Sequence, residues 1–382
     1  MDISIEKFIK KEVDVTIENP NESISIFKIE NSQDFYTFEL VKELRGGKSG
    51  DSVLLVRNSG NMYVLKIFTP GDNQKTIKDN NEIKYHADFM NLFEEFVPCP
   101  KIFMFGYVNR TPFSDNRSPK RSKYVVMEAL TPPFELDNLI SNKCIESEKN
   151  SYADSIDSIN IIIQLFYILS KMKLNDLFHC DMHPQNIMIV NNPNKIQLNF
   201  DHIESNYSFT LGDHLVKIID FGEGGKTHTE HGKLTDCRLQ RTTSGALEDL
   251  KERCDQSKDI AKLVYERTVG AKGDSDINFF INILILMSSF TKKLSNLDFT
   301  QLEEYSKKIG SKIIPLEEKS FPGFKKTQTR TLLFKFLSEL MKIIPKAGGS
   351  TSKGKKRNYK KKQKQSHKRN RSRNKNSKKN KN

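Results

Sequence analysis

At 382 residues and 36% hydrophobic, the chain carries enough apolar material for one large or two modest cores. Its net charge of +14 is unevenly placed: from Lys346 to Asn382 there are 17 Lys or Arg and no Asp or Glu, leaving 45 basic against 48 acidic residues before that point. The body is therefore close to neutral, which excludes a uniformly basic protein. The tail has almost nothing apolar to bury and repels itself, so it is excluded from the core and expected to be disordered.

Cys99, Cys144, Cys180, Cys237 and Cys254 are odd in number and show no C-x-x-C spacing. That argues against a disulfide framework and a zinc site and fits an intracellular, reducing compartment, cytoplasmic or nuclear. The start, "MDISIEKFIKKEVDV", has no apolar h-region, and the longest greasy run, "INFFINILILM" from Ile277, is short and Asn-interrupted. The expectation is a soluble protein with neither signal peptide nor transmembrane segment.

In chain order, residues 1–37 read as an extended or mixed leader. Residues 38–130 read as a strand-rich lobe: "FELVKEL", "SVLLVRN", "MYVLKIF", "KIFMFGYV" and "KYVVMEAL" are β-branched and aliphatic runs bounded by Gly, Asn or Pro, with one helix, "KDNNEIKYHADFMNLFEEF", among them. Residues 131–345 change to helical spacing. In "SINIIIQLFYILSKMKL" (158–174) apolar residues recur at three and four, which predicts a mostly buried helix ending near Asn175. Further helices are expected at 246–268, 275–291, 299–309 and 327–344, and loops or insertions at 111–123, 141–153 and 191–214. Residues 346–382 form the tail.

Chemistry-bearing residues fall at four places. In "LRGGKSGDSVLLV", Gly46, Gly47 and Gly50 sit on a strand-to-strand turn, either a flexible hairpin or a backbone cradle for phosphate. Lys66 interrupts the strand "YVLKIF", either pointing outward from an edge or offering an inward ammonium to phosphates, which would need a carboxylate such as Glu82 to hold it; Glu94 and Glu95 are rivals at the far end of that helix. The loop "FHCDMHPQNIMIV" (178–190) gathers His179, Asp181, His183 and Asn186 between a helix and an aliphatic strand. Finally "LVKIIDFGEGG" (215–225) delivers Asp220 at a strand end with glycine behind it. Phosphoryl transfer needs a group to orient the nucleophile's proton, oxygen ligands for Mg2+ and cations on the phosphates, and these four places hold such groups.

"HCDMHPQN" resembles the H-x-D-x-x-P-x-N catalytic loop of the protein-kinase-like superfamily, and "DFG" stands as it does there. The resemblance covers roughly residues 38–345. It implies an α+β, bilobal kinase-like fold with ATP and Mg2+ as cofactors. It further implies Asp181 as catalytic base, Asn186 and Asp220 as metal ligands, Lys66 with Glu82 as the phosphate-anchoring pair, and "VVMEAL" (125–130, with Glu128) as the hinge against adenine.

The pattern bends in two directions. Cys180 and His183 replace the usual Arg and Lys of the protein-kinase loop, and His183-Pro184 is similar to the D-x-H-P-x-N loops of aminoglycoside and choline phosphotransferases, as is the paired glycine. Control by a phosphorylated activation loop would lack its usual charge partner. In the other direction, Ala246-Leu247-Glu248 stands where protein kinases have Ala-Pro-Glu. Asp259 stands where their buried long helix opens with an Asp that bonds the catalytic loop's backbone; a surface acid at a helix start is the other reading. If the match holds, 223–245 is a peptide-binding segment and the substrate a protein. His179 is expected to be structural, beneath the DFG segment, and His183 open to a role at the γ-phosphate. His202 and His214 read as solvated loop residues.

Three functions follow: a serine/threonine protein kinase, a small-molecule phosphotransferase, and a nucleotide-binding pseudokinase. The tail suits any polyanion, including nucleic acid, or serves nuclear targeting or solubility alone. Its Lys- and Asn-rich texture is similar to that of proteins of large DNA viruses, which would place the chain in a virion or host cytoplasm.

Overall fold

The structure, a computed structural model, describes residues 11–12, 15–18, 26–29, 38–44, 51–69, 73–93, 96–108, 122–131, 134–144, 151–222, 224–226, 275–288, 290–298, 300, 302–303 and 326–344. Gly46, Gly47, Gly50, Glu94, Glu95, the segment 227–274 with Glu248 and Asp259, most of 299–309 and the basic tail lie outside them. The chain divides into two units, Met1–Met341 and Lys342–Asn382, and the elements below belong almost wholly to the first. Among the described residues no helix is long and apolar enough to cross a membrane.

The fold is α+β, with a strand-rich first lobe and a helix-rich second lobe. In chain order the first lobe holds β1 (Lys11–Glu12), β2 (Val15–Glu18), β3 (Ile26–Ile29), β4 (Glu39–Leu44), β5 (Ser52–Asn58), β6 (Asn61–Ile67), α1 (Asn73–Met90), β7 (Ile102–Val108) and β8 (Ser122–Glu128). One sheet runs β3-β2-β7-β8-β6-β5-β4, with β1 also paired to β7. From β4 to β8 the five strands lie within about a residue of the apolar runs that predict them. Residues 1–37 do more than lead in: β1 and β2 lie parallel to β7, and β3 turns back antiparallel on β2.

The β5–β6 hairpin turns on Ser59 and Gly60, with φ of 48° and 83°, the left-handed pair that matches the twist of the flanking strands. Along β6 the alternation puts Tyr63, Leu65 and Ile67 into the core with Leu54, Val56, Phe103 and Tyr124. Lys66 therefore lies on the opposite face of a strand paired on both sides, through Val53 and Val125. This removes the edge-strand alternative for Lys66.

The second lobe begins with β9 (Phe134–Glu135), α2 (Leu136–Cys144), α3 (Ser151–Ser155) and α4 (Ser158–Leu174). Helix therefore occupies part of the 141–153 stretch expected as loop. Asp157 caps α4 by accepting from the Ile159 N–H at 2.9 Å, and nearly every residue of the helix is buried, as an all-round apolar sequence demands. Then follow β10 (Leu177–Phe178), β11 (Ile187–Asn191), β12 (Gln197–Asn199), β13 (Ser208–Thr210), β14 (His214–Ile218), β15 (Gly225–Lys226), α5 (Ser275–Ser288) and α6 (Lys326–Ile343). Strands β11 and β14 pair antiparallel over five residues, so the two segments that carry Asn186 and Asp220 start from one ladder.

The insertion between those strands is not a loose loop. Its hairpin, β12 with β13, buries Leu198, Phe200, Ile203 and Leu211. Phe200 lies against Phe166 and Tyr167 of α4, and Arg330 of α6 donates to the Ile203 carbonyl at 2.7 Å. The expectation of solvated histidines is corrected here. His202 Nε2 lies 2.6 Å from Ser170 Oγ and its ring stacks on Phe200, while His214 is buried edge-on to Tyr152. Part of their surroundings comes from distant elements, Ser170 and Tyr167 of α4 for His202 and Tyr152 of α3 for His214. Cys99 is free and buried.

Phe200→Ala should cost about 3–5 kcal/mol, the usual loss for a fully buried aromatic. Asn206→Ala at the exposed turn of the same hairpin should stay within about 0.5 kcal/mol. Urea midpoints of the two variants check this; equal, small shifts would mean that the hairpin adds nothing to the core.

Candidate active site

The site is assembled from both lobes. On α1, Glu82, His86 and Phe89 fall at i, i+4 and i+7 and so share a face. Glu82 Oε1 meets Lys66 Nζ at 2.6 Å, pairing the residues that spacing alone left among three candidate acids. His86 stacks on Phe221 at 4.5 Å between centroids and Phe89 approaches the same ring at 5.0 Å. The Lys66 strand and the Asp220-Phe221-Gly222 turn are thus registered against each other by one helix face.

A second carboxylate, absent from the sequence-based site, lies beside Lys66. Asp51 Oδ2 is 3.8 Å from Nζ, and its Oδ1 accepts the Thr69 N–H at 2.9 Å. Its signal was an acid directly between Gly50 and an apolar strand, an odd place for a buried charge. Burial alone would push the Lys66 ammonium down, but Glu82, Asp220 and Asp51 reverse this and hold it above its ordinary value. The Glu82 carboxyl is also pushed up, by burial first, with Lys66 opposing and Asp220 and Asp51 adding. Both shifts favour the protonated form, burial leading for Glu82 and the three carboxylates prevailing over burial for Lys66.

The catalytic-loop candidates are held from below. Asp276, at the start of α5, accepts the backbone N–H groups of His179 at 3.0 Å and Cys180 at 2.9 Å, and Lys173 Nζ from α4 at 2.8 Å. Both charged side chains are 0% exposed. Burial would raise the Asp276 carboxyl; Lys173, His179 and the hydrogen bonds overturn that and lower it. The loop-bonding aspartate expected at Asp259 is therefore Asp276. Spacing from Ala246-Leu247-Glu248 points to Asp259, whereas the buried partner opens the apolar helix Ser275–Ser288. The grip spans a strained residue: Cys180 has φ of 65°, costly for a side chain with a Cβ. The next residue is Asp181.

Asn186 Nδ2 donates to the Asp181 carbonyl at 3.0 Å, and the Asn186 carbonyl accepts the Ile219 N–H at 2.9 Å. Asp220 follows immediately, with φ of 61°, and its Oδ1 accepts the Gly222 N–H at 3.3 Å. His179 Nε2 lies 3.0 Å from the Ile219 carbonyl and its ring 5.1 Å from Phe221, the structural position expected for it. His183 Nε2 stands 4.0 Å from Asp181 Oδ2. Burial lowers its proton affinity while Asp181 and, further off, Asp220 oppose this, so both carboxylates act on the same ring. The Asn186–Ile219 bond links the loop of Asp181 and His183 to Asp220, and the α1 contacts with Phe221 link Asp220 to the Lys66–Glu82 pair.

Glu128 is engaged elsewhere. Its carboxylate accepts the Lys101 N–H at 3.1 Å and faces Lys217 Nζ at 3.4 Å, tying the end of β8 to β14. Gln164 ties β14 to α4, accepting the Val216 N–H at 2.8 Å and donating to the His214 carbonyl at 2.9 Å. Both ties fix the strand that ends at Asp220.

The donor set suits Mg2+. The Asn186 Nδ2 bond leaves the amide oxygen as a hard ligand beside the exposed Asp220 carboxylate. Among the described residues no group of three or more His, Cys, Asp or Glu could hold a metal by itself.

No protein-family model matches the chain, and no curated protein matches it. Among solved structures it is similar to the crystal structure of the BubR1 kinase domain, with 13% identity, a TM-score of 0.42, and coverage of 87% of this chain and 90% of that one. Nothing about activity follows from a likeness of this degree, and the functional reading rests on the geometry above.

Lys173→Met would strand the Asp276 charge and should cost about 3–5 kcal/mol, read from the urea midpoint; Lys173→Met combined with Asp276→Asn should recover part of it. Burial also lowers His86 to about 4 and His202 to about 3, from 6.5. Below pH 6.5 the unfolded chain therefore takes up protons that the folded chain refuses, and stability falls as pH drops toward 4. Urea midpoints between pH 7 and 4.5 should show this decline, and His202→Asn should make it shallower.

Proposed function

We propose that the chain is an ATP- and Mg2+-dependent phosphotransferase of the protein-kinase-like superfamily and, within it, a serine/threonine protein kinase. The observation that carries the reading is that one face of α1 holds Glu82 on Lys66 at 2.6 Å and packs His86 and Phe89 on Phe221, next to Asp220, while the Asn186–Ile219 bond ties that turn to the Asp181 loop. A phosphate anchor, a metal-ligand pair and a proton acceptor on one neighbourhood are the parts phosphoryl transfer requires. A protein that only bound nucleotide would have no need of Asp181.

In this reading Lys66, held extended by Glu82, places its ammonium on the phosphates. Asn186 and Asp220 would hold Mg2+, which when bound supplies positive charge against the transferring phosphoryl group. Asp181, set by the Asn186 bond to its own carbonyl and by the Asp276 grip on the preceding residues, orients an acceptor hydroxyl and takes its proton. The backbone register of this loop is fixed before any substrate arrives, so little reorganisation accompanies the proton transfer.

A second reading, a small-molecule phosphotransferase, is favoured by His183, whose Nε2 lies 4.0 Å from Asp181 Oδ2. The proposal for the tail is a polyanion partner such as nucleic acid; deletion of residues 346–382 should abolish low-salt retention on DNA or RNA.

Radiolabelled ATP with basic and acidic protein substrates tests the leading reading: label should pass to protein hydroxyls and fall by a factor of about 1,000 or more in Asp181→Ala and Asp220→Ala. Transfer confined to aminoglycoside, choline or sugar acceptors would establish the second reading instead. Mg-ATP binding without transfer to any acceptor would leave a pseudokinase.

A further inference from the structure

Between α1 and β7, four successive carbonyls, those of Val97, Pro98, Cys99 and Pro100, are all engaged. Lys217 Nζ donates to Val97 at 2.9 Å and to Cys99 at 3.2 Å, and the Ile218 N–H donates to Pro98 at 2.7 Å. The Pro100 carbonyl lies 2.7 Å from His86 Nε2. A carbonyl can only accept, so Nε2 carries the proton and donates it. Pro98 and Pro100 have a fixed φ and no N–H of their own, which makes this short segment a stiff row of acceptors. Three of its bonds come from β14, the strand that leads to Asp220, and the fourth comes from α1.

That fourth bond falls one helical turn from the acid that holds Lys66, since Glu82 and His86 stand at i and i+4 on α1. An aliphatic side chain at position 86 would also cover the Phe221 ring, which His86 meets at 4.5 Å, but apolar contact is non-directional and tolerates rotation of the helix. A hydrogen bond to a carbonyl row fixed on β14 does not, because it weakens steeply with angle. The ring that makes the bond is neutral. Burial lowers its proton affinity, the Pro100 bond opposes this, and His179, Lys66 and Lys217, each from another part of the fold, lower it further.

We infer that His86 is a positioning residue, a polar latch between α1 and the Val97–Pro100 segment that keeps Glu82 on Lys66. Its effect on turnover rests on the phosphotransferase reading above; its effect on Lys66 does not. With the latch open, α1 keeps its apolar contacts but turns, and Glu82 leaves the ammonium that it meets at 2.6 Å. Burial lowers the Lys66 ammonium and Glu82 leads the groups that overturn this, so an open latch shows as a lysine that gives up its proton more readily.

The test compares His86→Leu, which keeps apolar bulk and removes the donor, with His86→Gln, which keeps an N–H donor at similar reach and removes the ring. Modification of Lys66 by an amine-reactive acylating reagent is followed by mass spectrometry, alongside urea midpoints. Leu should be the more stable variant, because the Gln amide buries an additional polar group. Yet at about pH 9 Lys66 should react about tenfold faster than in the wild type in His86→Leu, and within about twofold of it in His86→Gln. Reactivity that follows the order of stability, with Gln at least as fast as Leu, would overturn the latch, as would wild-type reactivity in both. In phosphotransfer, His86→Leu should lower kcat more than it raises KM for ATP, and His86→Gln should recover most of the loss. If no form transfers phosphate, the phosphotransferase reading fails while the Lys66 rates still decide the latch. Should both variants fail to fold, 15N NMR of the wild type at pH 7 keeps the inference testable: His86 should be protonated on Nε2 and bare on Nδ1, and a proton on Nδ1 would sink it.

Discussion

The Asp276 carboxylate underlies everything that happens above it. It receives two backbone N–H groups and an ammonium inside the protein, where no water can take over any of the three. What it holds is a turn that the chain would not adopt unaided, since Cys180 stands in left-handed backbone. An interior charge bound this way is a weak source of net stability but a strong source of uniqueness, because any other loop conformation leaves it stranded. Lys173 extends the constraint to α4, the most deeply buried helix described, so the loop is referenced to the centre of the second lobe.

From there the order propagates by backbone bonds. Asn186 and Ile219 link the loop to the strand end before Asp220, and Phe221 lies among His86, Phe89 and His179, rings drawn from both lobes. Phe221 therefore couples the position of α1, and with it Glu82, to the position of the loop. A displacement of α1 would loosen the Lys66 pair and the aromatic cluster together, which gives the cleft a mechanical link between phosphate anchor and proton acceptor.

Much of this was legible in the sequence, for physical reasons that can be named. The strands β4 to β8 announce themselves as short aliphatic runs between turn residues, and α4 as a long apolar segment with Asp157 before it. Lys66, Asp181, Asn186 and Asp220 stood out because a polar group inside such runs has a cost that packing alone does not explain. Asp276 was less legible, although an acid at the N-terminus of the greasiest helix was a usable sign; its partners lie about a hundred positions away in sequence, beyond any local pattern. The partial burial of His202 and the packing of the insertion hairpin escaped for the same reason, since α4 and α6 supply much of the surroundings. Asp51 required the sheet to be built first, because only strand pairing brings it beside Lys66.

The parallel attachment of β1 and β2 along β7 has a practical side. A fragment started at residue 38, the natural choice from motif boundaries, would strip β7 of its neighbours on that flank and bare a row of amide and carbonyl groups along "IFMFGYV", among the most aliphatic and aromatic strands of the sheet. Such a margin invites pairing between molecules. The opening residues thus serve as a selvedge for the sheet, and recombinant versions that omit them would trade a tidier boundary for a tendency to clump.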